Sequence, residues 1–374
     1  MRLSFYMPFK PPGHVNPSGD LIIGRELSDS FAGGGHTVRI ASRLRSRWIY
    51  WKPQALVQAS LERQRVCREF ENDPTDLWFT YHSYYKAPDL LGPSCSARLG
   101  IPYVIFQGIY STKRRRSLKT LPGFLLNRRA LMAATMVYTN KLADRKNLLR
   151  LLPEDRLLYI APGIHPRQFD FDPAARKMLR TRWRTDGRVV VLTAAMFRPG
   201  VKTEGLEQVI ASCGALRRNG KNLLLVIAGD GQNRTRLEEQ ARNQLGPDHL
   251  FVGTVPREDL YRYYSAADIF AFPGIQESLG MVFLEAQSVG LPIVAFRDWG
   301  AREAVINERT GILTPAAEPK AFTEALSTLL GSTAQRRKLG ETGRSHIRDN
   351  HDISRNYQQL MRSMEHIVEH HRSS

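Results

Sequence analysis

The sequence is poor in cysteine and in acidic residues, and it contains no long apolar run. Its three cysteines, Cys67, Cys95 and Cys213, lack the spacing of a disulfide framework or a zinc site and are typical of a reducing compartment. No run of about 18 apolar residues occurs, so no segment is expected to span a membrane. The first residues lack the apolar core of a signal peptide and predict a strand instead. These absences predict a cytoplasmic protein without a structural metal.

The shortage of acidic side chains leaves a formal net charge of +18, from 54 basic and 36 acidic residues. The excess is uneven, because residues 1–165 hold 25 of the basic residues and only 12 of the acidic ones. A surplus of this kind favours polyanionic partners such as nucleic acid, anionic lipid or phosphate-bearing substrates. A length of 374 residues is enough for two domains, each with its own core.

Short apolar runs alternate with longer amphipathic segments along the whole chain, and the last 40 residues have a helical pattern throughout. This alternation predicts an α/β protein with two facing, doubly wound parallel-sheet domains of the Rossmann type and a cleft between them. We expect the first domain at 1–165, the second at 166–352, and a C-terminal helix at 353–374 that crosses back to the first. The predicted strands are 3–7, 37–41, 77–81, 103–106, 136–139, 157–160, 189–194, 223–228, 250–252, 269–272, 292–295 and 312–314.

The stretch "GIQESLGMVFLEAQSVGLPIVA" carries Glu277 just before a predicted helix and Glu285 about two turns along it. The helix should begin near Leu279, at the carboxyl end of the preceding strand, where doubly wound sheets bind ligands. Its free N–H groups suit an anion, and Ser278 and Gly280 let a ligand approach the backbone. Because carboxylates accept strongly from hydroxyls, a ligand with two sets of hydroxyls joined by phosphates fits this arrangement. A nucleotide sugar has that form.

This stretch resembles the E-x7-E motif of the retaining glycosyltransferases of family 4, which have the GT-B fold. Other segments resemble the same family in the same order, and the resemblance covers most of the chain. They read "SGDLIIGRELSDSFAGGGHTVRIAS", "LGIPYVIFQG", "APGIHPRQF", "LLLVIAGDG" and "DWGAREAVINERTGIL". An isolated E-x7-E is common by chance, whereas the ordered set is specific. The resemblance implies a GT-B enzyme with an acceptor-binding first domain and a second domain that binds a nucleotide sugar.

By this resemblance, Glu277 would bind hydroxyls of the transferred sugar and Glu285 the ribose diol. The backbone of the turn between them would line the sugar and phosphate, and the first helical residues would support the ribose. The residues concerned are Ser278, Leu279, Gly280, Met281 and Val282. Taken alone, Glu285 is equally consistent with a partly exposed helix carboxylate.

A second motif, "AAMFRPGVKTEGLEQVI", follows a predicted strand and contains Arg198 and Lys202. These residues match the family's Arg/Lys pair, which neutralises the donor diphosphate, although the pair is usually spaced by five residues rather than four. Fixed cations there would stabilise the negative charge that develops on the leaving phosphate. The resemblance therefore implies catalysis without a metal ion. Two solvated loop cations are the alternative.

The segment "KPPGHVNPSGD" resembles the family's glycine pair, which approaches the donor phosphates. Gly19 keeps the close-approach position, and Ser18 departs from the pattern. A Pro/Gly turn without a ligand role is the alternative. Gly229, Asp230 and Val255 are further donor-side candidates, near the base or the ribose.

Three residues of the first domain are candidates for the acceptor side. His82 ends a predicted strand, where it would contact the acceptor or the reacting sugar, and a structural hydrogen-bonded histidine is the alternative. Gln107 occupies the position where many relatives carry a histidine before glycine. Any catalytic role of that histidine would therefore fall to an amide in this chain. His14 lies in the glycine-rich loop after the first strand.

Residues 111–135, "STKRRRSLKTLPGFLLNRRALMAAT", place cations on both sides of an apolar patch that includes Phe124 and Leu125. Such a pattern suits docking on an anionic membrane surface, where each cation contributes roughly 1 kcal/mol. A solvated helix face with ordinary core leucines is the alternative. The cations are Lys113, Arg114, Arg115, Arg116, Lys119, Arg128 and Arg129.

Together these features predict a retaining, metal-independent hexosyltransferase without a cofactor, peripheral at the inner face of the plasma membrane. We expect it to transfer sugar from a nucleotide-diphosphate donor, with UDP expected and GDP as the main alternative. The acceptor would be a glycan or lipid-linked glycan of polysaccharide, lipopolysaccharide or glycolipid synthesis. Rival interpretations are a GT-B enzyme with a soluble acceptor, a nucleic-acid-binding protein and an inactive scaffold. The interpretation as a nucleic-acid-binding protein is disfavoured because aromatic residues are not interleaved with the basic residues.

Overall fold

The computed structural model describes residues 1–14, 19–185 and 187–373. The chain forms two compact units. The first comprises Met1–Ala161 together with the residues from Ser354 onward, and the second comprises Pro162–Ile353. The chain thus leaves the first unit once and returns to it at the C-terminal end.

The first unit is built on a six-stranded sheet whose neighbouring strands are all parallel. Its strands are β1 (Arg2–Tyr6), β2 (Thr37–Ser42), β3 (Leu77–Ser83), β4 (Tyr103–Gly108), β5 (Met136–Thr139) and β6 (Leu157–Tyr159). The spatial order is β2-β1-β3-β4-β5-β6, so the direction of winding reverses between β1 and β3. In a doubly wound sheet this switch point leaves a crevice at the carboxyl ends of the strands.

The second unit repeats this architecture with another six-stranded parallel sheet. Its strands are β7 (Val189–Ala194), β8 (Leu223–Ala228), β9 (His249–Gly253), β10 (Ile269–Ala271), β11 (Ile293–Phe296) and β12 (Gly311–Thr314). The order β12-β11-β10-β7-β8-β9 reverses between β7 and β10. The loops after β7 and β10 therefore flank the crevice of this sheet.

Helices connect the strands and cover the sheets. They are α1 (Gly19–Gly33), α2 (Pro53–Asn72), α3 (Gly92–Leu99), α4 (Leu121–Ala133), α5 (Leu142–Leu148), α6 (Pro173–Arg182), α7 (Val201–Arg218), α8 (Arg234–Leu245), α9 (Leu260–Ala266), α10 (Met281–Val289), α11 (Pro319–Gly331), α12 (Thr333–Asn350) and α13 (Ile353–Ser373). Among the described helices, none combines the length and the apolar character needed to cross a membrane.

The second sheet is buried on both faces, as is usual for a parallel sheet flanked by helices. Successive residues of a strand point to opposite faces. Leu192 and Val226 accordingly join one core cluster, whereas their neighbours Val191 and Leu225 join the other. All six residues of β8, "LLLVIA", are buried. This continuous apolar run is what made the strand recognisable in the sequence.

The predicted α/β fold with two doubly wound sheets is confirmed, and each predicted strand is present within two residues of its expected ends. One helix starts two residues later than expected. The helix after β10 begins at Met281 rather than near Leu279, because Gly280 adopts a left-handed φ of 66° and caps the helix.

The C-terminal helix expected at 353–374 is present as α13, and α12 precedes it. The helical pattern breaks at His351 and Asp352 because the backbone there pairs with Ile164 instead. The Ile164 N–H donates to the His351 carbonyl over 2.9 Å, and the Ile353 N–H donates to the Ile164 carbonyl over 2.9 Å. Gly163 is required beside this pairing, since a Cβ on it would lie 2.7 Å from the His351 carbonyl oxygen.

Candidate active site

A pocket of about 310 Å³ opens at the carboxyl edge of the second sheet, at its switch point. Its walls come from the loops after β7, β8, β9 and β10 and from the first turns of α7 and α10. Its apolar surface includes Leu260 and Phe272. Seven residues singled out in the sequence line it, namely Lys202, Gly229, Asp230, Val255, Glu277, Met281 and Val282. A mostly apolar pocket with a few charged groups at a switch point is a typical ligand site.

The loops after β7 and β8 are packed directly against each other on one side of this pocket. Gly229 has a φ of 137°, and a Cβ on it would lie 1.9 Å from the Ala195 carbonyl oxygen. The Phe197 N–H donates to the Asp230 carbonyl over 2.9 Å. Only glycine fits at position 229, because both the conformation and the close approach exclude a side chain.

Asp230 is held by its own loop. Its carboxylate accepts from the Gly231 N–H over 2.7 Å and from Arg234 over 2.8 Å. The Gly231 N–H holds the pKa of this carboxyl below its usual value, and Arg234 adds to the effect. Asp230 is exposed at the pocket rim as an ionised acceptor.

The turn before α10 is fixed in shape by Gly280 and Gly300. The Gly300 N–H donates to the Glu277 carbonyl over 3.0 Å, and a Cβ on Gly300 would lie 2.8 Å from the carbonyl oxygens of Glu277 and Ser278. Ser278 is exposed and Leu279 half-buried, next to the N-terminal end of α10. The free N–H groups at this end suit an anion, as the sequence predicted.

Lys202 and Glu277 form an ion pair inside the pocket, although 75 residues separate them in the sequence. Lys202 lies in the first turn of α7 and Glu277 in the turn before α10, so the two sides of the switch point meet through these side chains. The Lys202 ammonium also lies 5.3 Å from the centre of the Phe272 ring. The sequence singled out both residues but did not anticipate that they would bind each other.

Arg198 lies in the same loop as the start of α7 but is exposed and does not line the pocket. Its carbonyl accepts from the Thr203 hydroxyl over 2.7 Å, which fixes the backbone rather than the guanidinium. The structure therefore brings Lys202, and not Arg198, into contact with Glu277.

Glu285 is buried in α10, with only 4% of its surface exposed. Arg257 donates from Nε to one carboxylate oxygen over 3.0 Å, and the Tyr264 hydroxyl donates to the other over 3.2 Å. Burial raises the pKa of the Glu285 carboxyl above its usual value, and Arg257 acts in the opposite direction. Sequence analysis missed both partners, because no motif or short spacing links them to Glu285.

At the carboxyl edge of the first sheet, His82 and Gln107 end neighbouring strands. The register of β3 and β4 pairs Tyr81 with Phe106 and Ser83 with Gly108, so His82 and Gln107 lie side by side along the ladder. Both have a left-handed φ, 63° for His82 and 58° for Gln107. Such backbone conformations cost energy in residues other than glycine and often occur at functional sites.

The surroundings of His82 include groups that sequence analysis did not single out. Its ring stacks on Tyr84 with ring centres 5.0 Å apart and meets Phe9 at 5.4 Å. Burial raises the pKa of the Asp144 carboxyl, while Lys141 and His82 counteract this shift. His82 therefore packs against aromatic rings and interacts electrostatically with the half-buried Asp144 carboxyl.

The glycine-rich loop after β1 is described only in part. His14 is half-buried, and its backbone N–H donates to the Pro11 carbonyl over 3.1 Å. Ser18 lies outside the described residues, and Gly19 is the first residue of α1.

The basic segment forms a short 3-10 turn at Thr112–Arg116 followed by α4. Leu125 is 53% exposed, so part of the predicted apolar patch faces solvent, and Leu118, outside that patch, is 83% exposed. Phe124 does not belong to it, because this side chain is buried in the core against Tyr110. The exposed cations of the segment are Lys113, Arg115, Arg116, Lys119, Arg128 and Arg129, whereas Arg114 is half-buried over the Tyr85 ring.

A neighbouring helix extends this surface, which sequence analysis did not foresee. The Trp51 indole, just before α2, donates to the Lys119 carbonyl over 3.0 Å. Val57 and Leu61 on α2 are 61% and 60% exposed. A groove of about 190 Å³ bounded by α2, α3 and α4 includes Leu56, Arg63, Leu126 and Arg129 in its lining. Exposed apolar side chains and cations thus adjoin over two helices.

Within the described residues, no three His, Cys, Asp or Glu side chains gather into a group that could hold a metal ion.

Comparison with known proteins places the second unit in a family. Residues 186–346 match the model described as "Glycosyl transferases group 1". The chain is 32% identical over 206 residues to the GDP-mannose-dependent alpha-(1-6)-phosphatidylinositol monomannoside mannosyltransferase of Mycolicibacterium smegmatis, a match covering 53% of each chain. It is 31% identical over 269 residues to the GDP-mannose-dependent alpha-mannosyltransferase of Mycobacterium tuberculosis, covering 68% of this chain and 63% of that one. The chain thus spans about half the length of the first of these relatives and somewhat more of the second.

The fold is also that of a solved structure, Anabaena HepE in complex with UDP. The TM-score is 0.72 with 18% identity, over 98% of this chain and 100% of HepE. The two doubly wound sheets, with a pocket at the second switch point, thus define a GT-B protein. Residues 186–346 belong to the group 1 glycosyl transferases, and the resemblance to the family 4 type seen in the sequence is confirmed.

Proposed function

We propose that this protein is a retaining glycosyltransferase that moves a sugar from a nucleoside diphosphate sugar to a glycan or lipid-linked acceptor. The supporting observation is that Lys202, Glu277 and the Gly229 loop share one pocket at the switch point. The pocket offers a cation for a diphosphate, a carboxylate for sugar hydroxyls and a close backbone approach. Glu285 does not line the pocket but lies about one turn along α10 from Met281 and Val282, which do, and we assign its carboxylate to the ribose.

In this proposal, catalysis depends on charge stabilisation at the leaving diphosphate. As the bond between sugar and phosphate breaks, negative charge builds on the phosphate, and Lys202 stabilises it together with the N–H groups at the start of α10. Arg198, exposed in the loop before α7 and outside the pocket lining, is a second candidate cation for this phosphate. The acceptor hydroxyl attacks on the face that the diphosphate leaves, and the leaving phosphate takes its proton. Retention follows from this geometry, and no metal ion takes part.

For the donor base we favour guanine over the uracil expected from the sequence. Both relatives at 31–32% identity are named as GDP-mannose-dependent. The structural neighbour that binds UDP is 18% identical, which supports the fold alone. The proposed donor is therefore GDP-mannose, with a UDP-sugar as the alternative.

Nucleotide binding tests the donor site directly. Thermal-shift titrations with GDP, UDP and ADP should show stabilisation by one of the first two, by about 2.7 kcal/mol at 100 times its dissociation constant. Glu285→Gln should reduce this shift. Incubation with the matching nucleotide sugar and EDTA should still give turnover, and proton NMR of the product should show the anomeric configuration of the donor. Inversion, a strict metal requirement or no nucleotide shift would each overturn the corresponding part of the proposal.

For the acceptor we propose a molecule at an anionic membrane surface, bound peripherally through the first unit. Leu118 and Leu125 are exposed within the basic segment, and the exposed Leu56 on α2 lines one groove with Arg129 on α4. Apolar side chains that enter the headgroup region and cations that meet anionic lipids reinforce each other. One of the relatives is named for a phosphatidylinositol monomannoside substrate, which agrees with an anionic glycolipid.

Sedimentation with liposomes separates this proposal from a soluble acceptor. The protein should pellet with vesicles containing phosphatidylglycerol or phosphatidylinositol and stay in solution with pure phosphatidylcholine. Binding should weaken as salt is raised, because the cations are exposed. Equal and negligible sedimentation with both vesicle types would favour the soluble acceptor.

A further inference from the structure

The buried Glu285 carboxylate is held by two donors from different elements. Arg257, on the turn between β9 and α9, contacts one oxygen at 3.0 Å, and Tyr264, on α9, contacts the other at 3.2 Å. Arg257 is itself anchored, because its guanidinium lies 5.7 Å from the centre of the Phe169 ring. Its side chain remains 52% exposed, whereas that of Glu285 is 5% exposed. A surface cation therefore reaches a carboxylate that is shielded from water.

This arrangement matters because a buried carboxyl favours its neutral form. Burial raises the pKa of the Glu285 carboxyl, and the charge and hydrogen bond of Arg257 lower it. Burial also raises the pKa of the Tyr264 phenol, so that group stays a neutral donor. A protonated carboxyl is a weaker acceptor than a carboxylate, and its O–H group needs an acceptor of its own. The two hydroxyls of a ribose diol need an acceptor in the ionised form.

We propose that Arg257 is a positioning residue of the donor site, which orients the Glu285 carboxylate and balances its charge so that it accepts from the ribose hydroxyls. Tyr264 sets the rotation of the same carboxylate from the other side. The inference rests on the proposed function, because it assigns Glu285 to the ribose. It adds a residue outside the E-x7-E motif, 28 positions before Glu285.

Other charged groups lie on the elements packed against α10, and the arginines Arg336, Arg344 and Arg262 bond to groups other than Glu285. On α12, Arg336 donates to the Leu329 carbonyl, and Arg344 pairs with Asp170. On α9, Arg262 pairs with Asp259. The remaining titratable or charged groups on α12 and on the 3-10 turn at Pro166–Phe169 are Arg167, Arg337, Lys338, Glu341, His346, Arg348 and Asp349.

The experiment measures dissociation constants for GDP and UDP by calorimetry between pH 5.5 and 8.5. Each variant is compared with the wild type at the same pH, so that titration of the nucleotide phosphates cancels. Arg257→Leu should weaken binding severalfold more at the acid end than at the alkaline end, because the Glu285 carboxyl then loses the charge and hydrogen bond that oppose its protonation. Arg257→Lys should restore most of the wild-type profile. Arg262→Leu, a neighbouring exposed arginine, should leave it unchanged.

A double-mutant cycle decides whether Arg257 acts through Glu285. Glu285→Gln removes the titrating group, so adding Arg257→Leu to it should cause little further loss at any pH. A loss that is equal at all pH values, or equally large in the Glu285→Gln background, would overturn the positioning role and indicate direct contact of Arg257 with the ligand. Failure of both nucleotides to bind the wild type would instead reject the proposed donor site itself, and the inference with it.

Discussion

Lys202 and Glu277 bind each other across the switch point of the second sheet, within the pocket proposed for the donor. Their side chains are 29% and 23% exposed, so the pair is largely shielded from water. The same two groups are proposed to bind different parts of the donor, with Lys202 at the diphosphate and Glu277 at the sugar. A bound donor must therefore compete with this ion pair, and that competition can be measured.

Glu277→Gln should separate nucleotide binding from turnover. The amide cannot pair with Lys202 as a carboxylate does, so the ammonium becomes available to a diphosphate. We expect GDP or UDP without a sugar to bind as tightly as to the wild type or severalfold more tightly. Turnover of the nucleotide sugar should nevertheless fall about a hundredfold or more, because the contact with the sugar hydroxyls is weakened. Calorimetry and initial rates measure the two effects, and weaker binding of the bare nucleotide would contradict the competition.

Lys202→Met should reduce kcat/KM by about 10²–10³-fold, as expected for the loss of a group that stabilises developing charge. Methionine keeps most of the side-chain volume against Phe272 but removes the cation. Lys221→Met is the matched control, because Lys221 is an exposed lysine just after the other end of α7. An unchanged kcat/KM in Lys202→Met would indicate that Arg198 binds the diphosphate instead. Replacing Arg198 should then reduce kcat/KM.

Gly229→Ala should lower the free energy of unfolding by at least about 3 kcal/mol, because strain at positive φ adds to overpacking. Its φ is 137°, and the added Cβ would lie 1.9 Å from the Ala195 carbonyl oxygen. Gly220→Ala separates the two effects, since Gly220 has a φ of 75° but no heavy atom within 4 Å of its added Cβ. That control should cost only about 1 kcal/mol. Chemical denaturation of both variants gives the comparison, and equal costs would show that the close approach at Gly229 is unimportant.

The fold could be predicted from the sequence because each buried strand is a short apolar run between turn residues. The site could be predicted in part for the same reason. Once β7, β8 and β10 are recognised as parallel strands, the loops that carry Lys202, Gly229 and Glu277 must meet at one edge. The left-handed Gly280 and the break at His351 depend on contacts with distant backbone, which local patterns do not contain.

The partners of Glu285 were missed for a related reason. Arg257 and Tyr264 lie 28 and 21 residues before it, on elements that meet α10 only in the folded chain. The apolar patch of α4 was misjudged at Phe124, because the sequence does not tell which side of a short helix packs on the sheet. Similarly, the sequence does not show that Leu56 on α2 lines one groove with Leu126 and Arg129 on α4.

Removing charge from the basic segment should weaken liposome binding more than removing the same charge elsewhere. We compare a triple change to glutamine at Lys113, Arg115 and Arg116 with the same change at three exposed cations outside the segment. The control cations are Arg25, Lys146 and Arg150. At about 1 kcal/mol for each cation, the first triple should lose roughly 100-fold in partitioning to anionic vesicles. Equal losses in the two triples would mean that net charge, and not this surface, attracts the membrane.

His351 should make the protein less stable in acid. Burial lowers the pKa of His351 to about 4, with a smaller contribution in the same direction from the neighbouring His346. One ring nitrogen is 2.6 Å from the Pro162 carbonyl oxygen, to which it donates, and the other is 3.2 Å from Nε2 of His346. The neutral ring must then accept at the second nitrogen, and a second proton would place two N–H groups against each other.

The pKa is lower in the folded than in the unfolded chain, so between pH 6.5 and 4 the unfolded state binds more protons. The contribution of His351 to stability is therefore complete above pH 6.5 and decreases as the pH falls, by up to roughly 3 kcal/mol at pH 4. His351→Gln should be less stable at pH 8 but should lose less stability between pH 6.5 and 4 than the wild type. His366→Gln, which changes an exposed histidine on α13, should follow the wild type throughout. Urea denaturation across this range measures the difference. Parallel curves for the wild type and His351→Gln would show that the buried histidine pair does not cause the acid sensitivity.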